Sequence, residues 1–182
     1  MSRRIIVLGM PGAGKDTQCD MLAKELGGVI IKTGDIARQL AKTNTKIAQI
    51  LREGGLVEDD IINARLVEKL KELGSEPDII FDGFPRRVEQ ARWLDEILGQ
   101  KAAQDLHVYY LRISAQSALK RLMKRGRADD TDAIVRNRLR VFAEQTEPVL
   151  AYYQASHRLV EIDGEPSPSE IQTELQHKIK EQ

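Results

Sequence analysis

Five short, almost continuously apolar runs rich in β-branched residues punctuate the chain: RRIIVLG (3–9), VIIK (29–32), DIIF (78–81), LHVYYLRI (106–113) and RLVEI (158–162). Such runs predict strands buried on both faces. Between them, residues 15–26, 35–42, 59–73, 88–98, 115–124, 132–155 and 168–181 carry helical spacing. Strands alternating with helices predict an α/β fold: a five-stranded parallel sheet covered by helices on both faces, with right-handed crossovers. Two stretches depart from this alternation. Residues 33–62 contain only short helical pieces and the turn EGGLVEDD, which predicts a helical flap at the rim of the sheet. The segment KRGRADD (124–130) reads as a charged hinge between two helices. Rim loops on a rigid sheet are where binding and chemistry concentrate.

Composition narrows the picture. The 182 residues fit one domain with a core of its own, and no internal repeat is visible. Lys plus Arg and Asp plus Glu number 28 each, so no general basic field supports nucleic acid or an anionic membrane as a partner, and any cationic site is local. The single cysteine, Cys19, permits no internal disulfide and suits a reducing compartment; it reads as a small core residue of the first helix. The apolar opening is too short for a signal peptide, and a cytoplasmic location is expected.

The segment GMPGAGKDTQ (9–18) lies between the first predicted strand and the first predicted helix, the context in which G-x-x-x-x-G-K forms a phosphate cradle. Backbone N–H groups around Gly12, Ala13 and Gly14 would converge on phosphate oxygens. The helix N-terminus adds its positive dipole end and Lys15 a point charge. The alternative is a glycine-rich turn with a solvated lysine. Asp16 stands where Ser or Thr is usual, and Thr17 follows. Its carboxylate either profits from the first turn of the helix and points aside, or holds a magnesium-bound water or sets Lys15.

Taken in order, GMPGAGKDTQ, KTGDIARQL, GGLVEDD, FDGFPRRVEQA, KRGRADD, NRLRVFAEQTEPVLAYY and EIDG make the chain resemble the adenylate kinase family of nucleoside monophosphate kinases over nearly its whole length. The resemblance implies a P-loop kinase that moves the terminal phosphoryl group of magnesium-ATP to AMP, giving two ADP. It implies an AMP-binding flap at about 33–62 and a very short lid at about 125–131. Lys15, Arg86, Arg127 and Arg138 would be catalytic. On the ATP side stand Gly12, Ala13, Gly14, Lys15, Asp16, Thr17, Arg121, Arg125 and Pro166, with Arg121 against the adenine and Arg125 on the phosphates. Gly164 and Glu165 belong to the same adenine-contacting stretch. On the AMP side stand Thr33, Arg38, Gly55, Leu56, Val57, Gly83, Phe84, Pro85, Arg86, Gln90, Arg127 and Arg138. Arg38 and Arg86 would hold the AMP phosphate, and Thr33 and Gln90 the base. Asp82 would meet Mg²⁺ through water. Asp16 occupies the family's glycine.

Each of these residues also has a structural reading: Asp82 as a strand-to-turn cap, Thr33 as a helix N-terminal residue, Gln90 as helix surface. Lys120, Lys124, Arg136 and Arg140 fall outside the match and read as surface charge. His107, His157 and His177 show no metal spacing. Long members of the family carry a large lid, some with a four-cysteine zinc site; neither is present, so no zinc is expected, and a lid this short predicts ATP hydrolysis without AMP. The resemblance also implies a monomer. A UMP/CMP kinase and a nucleotide-binding regulator without transferase activity are the rival readings.

Overall fold

The computed structural model describes residues 2–74, 77–126 and 131–181. Five strands, β1 (Arg4–Gly9), β2 (Val29–Lys32), β3 (Ile79–Asp82), β4 (Leu106–Arg112) and β5 (Leu159–Asp163), form one all-parallel sheet in the order β2-β3-β1-β4-β5. The helices are α1 (Lys15–Leu26), α2 (Thr33–Ala41), α3 (Thr45–Arg52), α4 (Asp59–Leu73), α5 (Val88–Gln104), α6 (Ala115–Arg125), α7 (Asp132–Val141), α8 (Glu147–Ala155) and α9 (Pro168–Lys180). This is the α/β architecture of a P-loop nucleotide-binding fold.

Successive strand residues point to opposite faces, so each strand feeds two cores. Ile6 and Leu8 of β1 join Ile79, Phe81, Val108, Leu66, Val149 and Tyr153 on one face. Ile5 and Val7 join Ile80, Tyr109, Leu111, Cys19, Leu22 and Leu175 on the other. Each fully buried Ile, Val or Leu contributes about 1.5–3 kcal/mol, which accounts for why runs without polar alternation become the central strands. Cys19 is buried in the second core, and burial pushes its thiol pKa up.

The strand order also creates the site. The chain leaves β1 toward β2 at one edge and leaves β3 toward β4 on the other side of β1. Neighbouring strands whose connections depart in opposite directions open a crevice at their carboxyl ends. The residues that follow β1 and β3 there are the Gly9–Lys15 loop and Gly83–Arg86.

Three of the predicted helices differ from the expected pattern. The predicted helix over 132–155 is interrupted by a wide π-type segment, Phe142–Thr146, between α7 and α8. Pro148 in the first turn of α8 has no N–H and its ring opposes the carbonyl four residues earlier, so continuous α-helix cannot pass through this point. α5 runs past the expected end at 98, with a non-helical Gly99 (φ 76°, ψ 162°) inside it. In the 33–62 stretch, α2 begins two residues earlier than expected, and α3 is capped by Asn44, whose Oδ1 accepts from Ile47 N–H at 3.1 Å. Ile47, Val57 and Ile62 seat this stretch on the first core. Most of the 125–131 segment, with Arg127, lies outside the described residues. Among the described residues no helix is long and apolar enough to cross a membrane.

Candidate active site

A cavity of about 600 Å³ opens at the carboxyl ends of β1 and β3, walled by the Gly9–Lys15 loop, Asp82–Arg86, the start of α2, the 54–57 loop, α6, α7 and the turn after β5. Its floor is the cradle. Gly12 has φ 90°, and a Cβ there would stand 2.8 Å from the Ala118 carbonyl oxygen, so the loop can fold over α6 only with glycine. Gly14 precedes α1 with φ 91°, and the first turn of the helix, whose N–H groups have no partner within the helix, borders the cavity. Lys15 Nζ donates to the carbonyls of Gly9 (2.9 Å) and Met10 (3.2 Å), which holds the ammonium across the loop's mouth. Burial lowers the Lys15 pKa, while the nearby Asp82 carboxylate opposes that shift.

Asp82 closes β3 in register with Val7 and is 6% exposed. Burial pushes its pKa up to about 6; Lys15 pulls it down and Asp16 pushes it further up. Among the described residues no group of three or more His, Cys, Asp or Glu could cage a metal ion. A pair of acids beside a phosphate cradle suits a cation that keeps several waters and takes its remaining ligands from phosphates, as Mg²⁺ does. Asp16 and Thr17 are exposed at the cavity edge, on the first turn of α1.

The second wall carries arginines. Arg86 Nε donates to the Gly83 carbonyl at 2.8 Å, and burial lowers the Arg86 pKa against the pull of Asp82. Gly83 has φ 71°, and a Cβ there would lie 2.8 Å from Arg86 Nη2. The Phe84-Pro85 peptide is cis. Arg38 pairs with Asp35 one turn away on the exposed side of α2, and both Arg38 and Arg138 line the cavity. Arg121 donates to the carbonyls of Gly164 (2.8 Å) and Glu165 (3.0 Å), tying α6 to the turn after β5 beside Pro166. Arg125, at the end of α6, lines the same cavity.

At the far end the lining turns apolar and amide-rich. Gly55, Leu56 and Val57 form one side and Phe84 and Pro85 another. Thr33 Oγ1 donates inward to Gly83 O (2.9 Å), with a longer approach to Asp82 O (3.3 Å). Gln90, 4% exposed, accepts from Arg86 N–H and donates to Asp59 Oδ1, each at 2.7 Å. Asp59 is ion-paired with Arg87, whose Nε donates to Gln145 Oε1 at 2.8 Å. Thr146 Oγ1 donates to the Arg86 carbonyl at 3.1 Å, fixing the arginine's backbone from the π-type segment.

The chain as a whole matches known proteins. A family model described as adenylate kinase matches residues 7–158. "Adenylate kinase 1" of Synechocystis sp. is 39% identical over 184 aligned positions, covering 99% of this chain and 98% of the relative. "Adenylate kinase" of Thermus thermophilus is 38% identical over 179, covering 94% of each chain. "Adenylate kinase" of Mycolicibacterium vanbaalenii is 39% identical over 166, covering 89% of this chain and 92% of the relative. The chain belongs to the adenylate kinase family.

Within this adenylate kinase fold, Gly12–Thr17, Thr33, Arg38, Gly55–Val57, Asp82–Arg86, Gln90, Arg121, Arg125, Arg138 and Pro166 all border one cavity. Gln90 and Thr33, whose structural readings made them helix residues without a site role, are buried and hydrogen-bonded at the cavity wall. Sequence reasoning missed Arg87, Asp59, Gln145 and Thr146. Arg87 and Asp59 look like surface charge in a linear reading, and only the fold brings Asp59 within reach of Arg87 and Gln90. Thr146 had one legible signal, a polar residue between the apolar positions Phe142 and Val149 of a helical run.

Proposed function

We propose that this member of the adenylate kinase family transfers the terminal phosphoryl group of magnesium-ATP reversibly to AMP, giving two ADP. The observation that carries the reading is the meeting of a phosphate cradle with Arg86, Arg138 and a hydrogen-bonded amide in one cavity. A nucleotide-binding module needs the cradle alone; a second set of guanidinium groups opposite it suits a second phosphate. The donor's phosphates would lie on the Gly12–Thr17 backbone and Lys15, with its base between Arg121 and the turn at Pro166. The acceptor's phosphate would meet Arg38 and Arg86, and its base the pocket of Val57, Thr33 and Gln90. Arg125 would reach the donor phosphates and Arg138 the transferring group, where the family resemblance also implies a role for Arg127.

A phosphoryl transition state is loose and asks for little covalent work from a protein, so positioning and charge neutralisation supply the rate. Lys15 is held by two carbonyls beside the cradle, so its charge is in place before the reaction. Arg86 is fixed at Nε by Gly83 O, which leaves its two terminal nitrogens to meet phosphate oxygens as a fork. Asp82, with Asp16 and Thr17 nearby, would hold Mg²⁺ through water. When bound, the ion neutralises charge on the donor phosphates. Balanced net charge and a single cysteine support a cytoplasmic protein, and monomer is the expected state.

The reading is tested by product balance. Incubation with magnesium-ATP and AMP yields two ADP for each AMP consumed, and ADP alone yields ATP and AMP. ADP formed in equal amount with and without AMP would refute transfer and leave a nucleotide-binding protein with hydrolytic activity.

A further inference from the structure

The base-side wall holds an amide whose two ends are fixed by groups of opposite kind. Gln90 Oε1 faces the Arg86 backbone N–H and Gln90 Nε2 faces Asp59 Oδ1, both at 2.7 Å. A backbone N–H only donates, and a carboxylate paired to a guanidinium only accepts. Turning the amide over would therefore set NH₂ against N–H and oxygen against carboxylate. Asp59 is itself held: Arg87 pairs with it while reaching Gln145 Oε1 (2.8 Å) and the Val57 carbonyl (3.3 Å). The orientation of Gln90 is thus set from both ends, by the Arg86 N–H at the cavity wall and, from the start of α4, by Asp59, which does not line the cavity.

We propose that Asp59 is a positioning residue that, by locking Gln90, makes the acceptor site take a 6-aminopurine and refuse a 6-oxopurine. The proposal rests on the cavity accepting a nucleoside monophosphate. An amide oxygen has two lone pairs and an amide nitrogen two protons, so the locked Gln90 keeps one acceptor and one donor for a base. A 6-aminopurine presents the complement, an N–H at position 6 and a lone pair at N1. A 6-oxopurine presents oxygen at position 6 and N–H at N1, so it meets like with like. A freely turning amide would serve both bases. Thr33 acts in the same sense, because its proton is committed to Gly83 O and its oxygen can then only accept.

The test uses the full chain and two acceptors that differ at this edge, AMP and inosine monophosphate, with saturating magnesium-ATP. In Asp59→Asn the new amide can offer either an oxygen or an NH₂, so Gln90 loses one of its two fixed partners and only the Arg86 N–H still disfavours the turned amide. The ratio of kcat/KM for AMP over inosine monophosphate falls by about tenfold, the worth of roughly one hydrogen bond. The fall appears in KM for the acceptor, with kcat and the KM for ATP within about twofold. Asp59→Ser, which also removes the fixed carboxylate, gives the same result if the asparagine variant folds poorly. Calorimetric binding of the two monophosphates without ATP reports the same loss of preference. An unchanged ratio, or an equal loss for both acceptors, overturns the role of Asp59 while leaving the transferase intact. A wild-type protein that makes no ADP from either acceptor overturns the underlying function as well.

Discussion

The two ends of the cavity are built on different plans. The phosphate end is nearly contiguous in sequence: Gly9 to Thr17 supplies the loop, the lysine and the helix terminus, and its geometry follows from glycine torsions and one local lysine bond pattern. The base end is gathered from distant segments. Thr33, Val57, Asp59, Gln90 and Gln145 stand on different elements and meet only because α2, α4, α5 and the π-type segment pack around Phe84 and Arg86. The contrast teaches that affinity for phosphate is a local property of this chain, whereas the choice of base is a tertiary one. Damage to the first should abolish chemistry without altering selectivity. Damage to the second should alter selectivity with chemistry retained.

Removing charge from the phosphate end gives the largest effect. Lys15→Met lowers kcat by about a thousandfold, in line with loss of a preorganised electrostatic group, with thermal stability maintained because the ammonium bonds only to loop carbonyls. A kcat within tenfold of wild type would detach Lys15 from the chemistry. Next comes Arg86→Lys, which keeps the charge and loses the fork; about a hundredfold loss in kcat/KM for AMP is expected, with KM for ATP little changed. Equal damage to both substrates would show that Arg86 serves the phosphate end as a whole.

Gly83→Ala probes the joint between the two ends. Its φ of 71° disfavours any side chain, and the added Cβ would press on Arg86 Nη2. A stability loss of about 1–2 kcal/mol by thermal or denaturant unfolding is expected, with KM for AMP rising and KM for ATP steady. The smallest effect belongs to Asp16→Gly. It removes a like charge beside the phosphates and lowers KM for ATP by about two- to threefold, as exposed charges act weakly. It also gives up about 0.3–1 kcal/mol of helix N-terminal stabilisation. Collapse of the magnesium dependence instead would make Asp16 part of the cation site.

What was legible in the sequence follows the same division. Ile5 to Leu8 and Ile79 to Phe81 leave no polar face, so central parallel strands were the reading they allowed, and the cradle's spacing placed it between β1 and α1. The split of 132–155 was readable in principle from Pro148, but the helical periodicity on both sides concealed that the turn widens rather than ends. Asp59 and Arg87 gave no signal because a charged residue beside a turn has the same linear appearance whether it faces water or an amide. Their partners lie 28 to 58 positions away, a separation that only the packed fold closes.

In the proposed function one cavity holds a donor phosphate and an adenine-bearing acceptor together. The most direct test is the initial rate of ADP formation from magnesium-ATP by the purified protein with AMP, UMP, CMP or no acceptor. ADP formation is expected to be stimulated by AMP well above every other condition. A rate independent of acceptor would contradict transfer, and a preference for UMP or CMP would contradict the reading of Thr33 and Gln90 as an adenine site.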